Sequence, residues 1–323
     1  MWIVSALVFA RWGLYIPVVG PSILVAGLSG LVAFLAWKRD REQGRFLERA
    51  FSQYVSPAVV RTIVEHPDRL RLGGERRTVT CIFTDLQGFT SISEKMAPEE
   101  IAAVLNGYLD RICNLFVEHG ATIDKVIGDA VVGFFGAPAE QGDQSERAVA
   151  LALAIDDLSE DFRVEMRRTG YGVGVTRIGI HRGPAIVGNF GGERFFDYTA
   201  IGDTVNTAAR LEGANTYLGT HICASSAVVE HCPAIAFRPS GTIFLKGKTR
   251  GIEAFEPLGK GNPAVAALED YGRAFALMQR RQRGAKASFS RLAEMFPDDP
   301  LIAFHHKRLE NGEKGTDIVL SGK

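Results

Sequence analysis

The chain has 323 residues, 46% hydrophobic and 23% charged, which suits one substantial globular domain with smaller appendages and excludes a disordered or fibrous protein. Lys+Arg and Asp+Glu balance at 37 each, so no overall basic field marks nucleic acid as a partner, and any anion site has to be built locally. The four cysteines, Cys81, Cys113, Cys223 and Cys232, form no close pair of metal-ligand spacing and suit reduced thiols in a cytosolic domain.

Residues 1–37 read as a membrane region. Val18 to Trp37 carries no charge, has about the length of a bilayer core, and ends in Lys38-Arg39-Asp40-Arg41, so a transmembrane helix over about 18–37 is expected, with its C-terminal end in the cytoplasm. Ser22, Ala26 and Gly30 recur every fourth residue and would let two such helices approach closely. Residues 38–72 read as a helical signalling linker, with Phe46, Leu47, Ala50, Phe51 and Tyr54 forming an apolar stripe and Ser56-Pro57 opening a second short helix.

The main domain is expected over 73–257. A loop at Gly73-Gly74 leads into the β-rich run Thr78–Thr84, which stops at Asp85. Pro98 opens a helix whose face is traced by Ile101, Leu105, Tyr108, Ile112 and Phe116. Strands follow near 121–126 and 130–135, a helix from about Gln144 to Arg168, and strands near 173–181 and 184–189. The order β-α-β-β-α-β predicts a ferredoxin-like α+β fold. A short helix at Ser225-Ser226 and strands near 242–245 and 253–256 complete the domain, and residues 258–323 read as an extension of two or three amphipathic helices.

Asp85 projects from a strand end beside Gly88, and Asp129 sits in the tight turn Ile127-Gly128-Asp129 between two apolar strands. Two such acids brought together would repel unless a cation lay between them, and Mg²⁺ or Mn²⁺ bridging phosphate oxygens answers that need. Either aspartate alone is as well explained by a turn or cap. In Gly202–Glu212, a helix capped by Asp203 or Thr204, Asn206 and Arg210 are spaced i,i+4 on one face, an amide and a guanidinium pointing together at a ribose or phosphate or simply into solvent. Lys246 lies where a strand meets a turn, within reach of phosphates in one reading and plain surface in the other.

In this order, Phe83–Thr90, Lys125–Ala130 and Tyr198–Glu212 resemble the signature blocks of the class III nucleotidyl cyclases, over about residues 73–257. The resemblance implies an adenylate cyclase, a homodimer that converts ATP to cyclic AMP and pyrophosphate with two divalent ions, Mg²⁺ or Mn²⁺, per active site. It implies that Asp85, Asp129 and the backbone carbonyl of Leu86 hold the metals. Lys125 and Thr199 would read the purine, Asn206 and Arg210 would stabilise the transition state, and Lys246 would bind the triphosphate. Lysine donates to adenine N1, where guanylate cyclases of the family generally carry an acid, so Lys125 argues for ATP. Thr199 resembles a bacterial subgroup often associated with bicarbonate responsiveness. Gly13–Pro17 before the membrane helix looks like the tail of a CHASE-type sensor's membrane region, implying attachment to the cell membrane with the catalytic domain in the cytoplasm. Gly191–Phe195 resembles the signature of diguanylate cyclases, with Arg194 where an acid is usual, and a catalytically silent cyclase-like module is the non-enzymatic alternative.

Overall fold

The computed structural model describes residues 2–13, 23, 25, 27–35, 38, 73–192, 196–244, 250–259 and 261–320, in two compact units, 1–65 and 66–323. In the first unit, Trp2–Trp12 forms helix α1, and the described residues among 23–38 are helical. Their large apolar side chains are exposed, Ile23, Leu28, Val32 and Leu35 among them. Among the described residues no helix is long and apolar enough to cross a membrane. The expected span at 18–37 falls partly outside the described residues, and the linker 38–72 lies outside them except for Lys38.

The second unit is built on one sheet. Strand β1 (Gly73–Leu86) lies between β3 (Ala130–Phe135) and β4 (Thr176–Gly191), antiparallel to both, with Thr80 opposite Phe135 and Leu86 opposite Thr176. With β2 (Thr122–Ile127), β5 (Phe196–Ile201), β6 (Ile222–Ser225), β7 (Ala236–Phe244), β8 (Ile252–Leu258) and β9 (Asp317–Val319), the order is β2-β3-β1-β4-β6-β8-β7-β9, and β5 pairs with β4. The strands of the βαββαβ order, β2-β3-β1-β4, are antiparallel to their neighbours, and the parallel pairing of β4 with β6, beyond that order, makes the sheet mixed.

Alternation along β1 sends its side chains to two cores. Ile82 and Leu86 meet Tyr108, Ile112 and Phe116 of α3 (Pro98–Glu118), which follows the short α2 (Phe89–Ser93), and Leu151, Ile155 and Phe162 of α4 (Gln144–Arg168). Val79 and Cys81 face the other way, against Phe134, Val187, Ala200 and Ala208 of α5 (Asp203–Leu218). Helix α5 lies directly on β4: a Cβ on Gly179 would stand 2.1 Å from the Ala208 carbonyl oxygen and 2.2 Å from the Glu212 nitrogen. All four cysteines are free thiols.

The C-terminal segment packs onto this unit. After α6 (Ser226–Val229) and strands β7 and β8 come α7 (Ala264–Gln279), α8 (Gly284–Met295) and α9 (Pro300–Glu310), whose Tyr271, Phe289, Leu301 and Ile302 join Leu211, Ala214 and Leu218 of α5 in a third core. Burying each such large side chain contributes about 1.5–3 kcal/mol. Arg238 of β7 locks the junction from inside: only 2% exposed, it pairs at 2.5 Å with both Glu256 of β8 and Asp299, whose other oxygen caps α9 by accepting from the Leu301 and Ile302 N–H groups. The chain then returns as β9, parallel to β7.

Three local expectations change. The separate strands near 173–181 and 184–189 are one strand, β4, which runs through Pro184. The expected loop at Gly73-Gly74 is already strand, paired with Asn189 and Gly188. Strands β5, β6 and β9 carry no expectation, the last two being too short for a two-residue period to show. Helix α5 begins at Asp203 with Gly202 in the capping position, so neither Asp203 nor Thr204 is its cap; the Thr204 hydroxyl donates instead to the Pro184 carbonyl.

Candidate active site

Strand β1 ends at Asp85 and Leu86, and the β2–β3 turn, with Gly128 at φ 63°, brings Asp129 to the same corner. The Leu86 N–H donates to Asp129 Oδ2 at 3.1 Å. Burial raises the Asp129 carboxyl above the usual carboxylate range and the charge of Asp85 raises it further, against the Leu86 hydrogen bond and the charge of Arg177. Arg177 of β4 hydrogen-bonds Asp85, and its Nε faces Glu212 Oε1 of α5 at 3.0 Å without hydrogen-bond alignment. Burial pushes Glu212 up to about 7; Arg177 opposes that rise and Asp85 reinforces it.

Among the described residues no three His, Cys, Asp or Glu side chains form a ready metal cage. The corner offers two carboxylates and the Leu86 carbonyl, hard oxygen donors of the kind that take Mg²⁺ or Mn²⁺ with substrate oxygens completing the shell. The like charges at Asp85 and Asp129, which lift the Asp129 carboxyl, are what a divalent cation would relieve, so the corner fits one.

Lys125 and Thr199 also come together. Strand β5 folds back so that Tyr198 lies against Phe134 of β3, ring centroids 6.3 Å apart. This carries Thr199 to β2, where its hydroxyl hydrogen-bonds the carboxylate of Asp124. Lys125 Nζ lies 3.4 Å from Asp124 Oδ1. Burial raises the Asp124 carboxyl, and both the Thr199 hydrogen bond and Lys125 pull against it.

Asn206 and Arg210 are both exposed on α5. Among the described residues neither has a hydrogen bond or ion pair to Asp85 or Asp129, and Arg210 is in no ion pair at all. Arg210 is two residues before Glu212, about 200° around the helix, so while Glu212 turns inward to its own acid corner, Arg210 turns outward. Lys246 lies outside the described residues, as do Glu193–Phe195.

Sequence reasoning missed Arg177, Glu212 and Asp124. A charge inside the apolar run of β4 was the available signal for Arg177, and the spacing of Glu212 two residues beyond Arg210 for the second. Nothing in the sequence marks Asp124, whose orientation depends on a bulge.

Residues 74–256 match the family of the adenylate and guanylate cyclase catalytic domain, and the chain belongs to that family. More particularly, it is 39% identical over 210 residues to adenylate cyclase 1 of Rhizobium meliloti (strain 1021), a stretch covering 65% of this chain and 32% of that relative, so the chain spans about a third of its length. The solved adenylyl cyclase CyaB from P. aeruginosa is similar with a TM-score of 0.55 and 33% identity, covering 58% of this chain and 97% of that one. The guanylyl cyclase Cya2 is similar with a TM-score of 0.53 and 33% identity, covering 59% and 97%.

Proposed function

We propose that the protein is an adenylate cyclase that converts ATP to 3′,5′-cyclic AMP and pyrophosphate at two sites shared across a homodimer. The observation that carries this reading is the meeting of Lys125 and Thr199 on one buried carboxylate, a donor beside an acceptor where a purine edge can be read. Overall likeness does not choose the nucleotide, since the adenylyl and guanylyl cyclase structures are equally identical to this chain. Lysine at position 125 does, because it donates to adenine N1 and would face the ring N–H of guanine.

Asp85, Asp129 and the Leu86 carbonyl are the groups that would hold Mg²⁺ or Mn²⁺. Bound there, the cations would neutralise phosphate charge and acidify the ribose 3′-hydroxyl. The 3′-hydroxyl gives its proton to solvent as its oxygen attacks the α-phosphorus in line, the bond to the bridging oxygen breaks, and pyrophosphate leaves with its electron pair. Asn206 orients the ribose, Arg210 meets the charge growing on the α-phosphoryl oxygens, and Lys246 holds the terminal phosphates. The outward turn of Arg210, away from the acid corner that Glu212 faces, supports its being lent to a second copy; each site then takes its metal ligands from one protomer and its purine and transition-state residues from the other.

The uncharged run 18–37 and the exposed apolar side chains of its described helical residues support an N-terminal membrane anchor, with the catalytic unit on the cytoplasmic side. A CHASE-type context belongs to the same proposal. The whole chain, purified in detergent and incubated with Mn²⁺ and either ATP or GTP, is expected to yield cyclic AMP from ATP and little cyclic product from GTP. A predominantly cyclic GMP or cyclic di-GMP product overturns the assignment, as does the absence of any cyclic product.

A further inference from the structure

Asp124 is almost wholly buried, its side chain 2% exposed, while its neighbour Lys125 is 46% exposed. In a regular strand consecutive side chains point to opposite faces. Here the register of β2 against β3 shifts between Ile123 and Lys125, an irregularity that places one extra residue, Asp124, in β2. The outcome is that consecutive residues contact each other through their side chains, with Lys125 Nζ 3.4 Å from Asp124 Oδ1. That oxygen is fully buried and has no aligned hydrogen bond among the described residues, so the ammonium of Lys125 is its charge partner. The same carboxylate accepts the hydroxyl hydrogen of Thr199, itself 8% exposed and on a different strand.

We propose that Asp124 is a positioning residue that sets the hydrogen-bond polarity of the purine pocket, and so its preference for adenine. This rests on Lys125 and Thr199 being the purine readers. An ionised carboxylate only accepts hydrogen bonds. It therefore takes the Thr199 hydrogen and leaves that hydroxyl's lone pairs facing outward, as an acceptor. It also engages the Lys125 ammonium from behind, holding a flexible stem in one direction and leaving further N–H groups for the base. The pocket then presents a donor beside an acceptor. Adenine offers the complement, N1 as acceptor and the N6 amino group as donor. Guanine presents a ring N–H and O6, the reverse order, and would leave both pairs mismatched. With Asp124 neutral and able to donate, the Thr199 hydroxyl is free to turn and the order is no longer fixed.

The test measures kcat and KM for ATP and GTP in the whole chain carrying Asp124→Asn, which keeps the shape and removes the charge. The expected result is a rise in KM for ATP of about tenfold, kcat within about threefold of the parent, and a fall of about tenfold or more in the ATP-to-GTP ratio of kcat/KM, the equivalent of about 1.4 kcal/mol of discrimination. Asp124→Glu, which restores the charge, should recover part of that ratio. In a double-mutant cycle, Asp124→Asn should add little to Lys125→Met, because the two act as one unit. An unchanged nucleotide ratio in Asp124→Asn overturns the proposal, and so does a multiplicative loss in the double variant, which would mark Asp124 as supporting the fold alone. If Asp124→Asn does not fold, the same ratio and cycle are read in Asp124→Ser, with the same two overturning results. Lys125→Met with an unchanged ATP-to-GTP ratio would instead sink the purine-reader assignment itself, which separates the two failures.

Discussion

Glu212→Gln isolates the electrostatics of the acid corner. The Glu212 carboxyl, 13% exposed, is raised from 4.5 to about 7, chiefly by burial. An acid with a raised folded-state pKa binds its proton more tightly in the folded chain than in the unfolded one, so its contribution to stability is fullest below pH 4.5 and falls as pH climbs through about 7. Between pH 6 and pH 8 the folded carboxyl passes from mostly protonated to mostly ionised, holding on average about half a proton more than the unfolded chain, so this group withdraws about 1.4 kcal/mol of stability over that interval. Glutamine keeps the size and the contact with Arg177 and does not titrate. Urea unfolding followed by far-UV circular dichroism suits the measurement, because all three tryptophans lie in the first 37 residues, outside the catalytic unit. Without added metal, the parent minus Glu212→Gln stability difference should become more negative by about 1.4 kcal/mol from pH 6 to pH 8. Two curves that stay parallel across that interval would refute the assignment of a neutral-range proton to Glu212.

Arg210→Ala should lower turnover by a factor on the order of 10²–10³ while leaving the melting temperature unchanged, since the side chain is exposed and makes no ion pair among the described residues. Near-parental turnover would remove it from the transition state. Mixing Asp85→Ala with Arg210→Ala chains should restore activity through heterodimers with one intact site, and no recovery in demonstrated heterodimers would exclude sharing between protomers. Arg238→Met strands the carboxylates of Glu256 and Asp299 in the interior and should cost about 3–5 kcal/mol, read as a large fall in unfolding midpoint. A midpoint within error of the parent would show that the junction holds without its arginine.

The elements with a strong local pattern were legible in the sequence. Helix α4 spans Gln144–Arg168 and strand β3 spans Ala130–Phe135, as their charge and apolar patterns indicate, because both bury an apolar face on the same core. What escaped depends on partners distant in sequence. The first residues of β1, Gly73 to Arg77, include Glu75, Arg76 and Arg77, and are strand only because β4 runs beside them. Pro184 reads as a break, yet its missing N–H is tolerated opposite Thr78. At the site, Asp85 and Asp129 share one corner of the sheet, and Lys125 and Thr199 both neighbour Asp124. Asp124 stayed hidden, since period-two reasoning assigns it the face opposite Lys125 and only the bulge brings the two together.

Strand β9 lies along Thr242–Phe244 of β7 and covers a border of the sheet that would otherwise present unpaired backbone amides and carbonyls. A stop codon a few residues before Asp317 would leave Asp85, Asp129 and Arg210 untouched yet uncover that row of groups beside apolar Ile243. The resulting protein would carry an adhesive seam able to recruit strands from other molecules, so self-association, more than lost chemistry, would be the first sign of such a truncation.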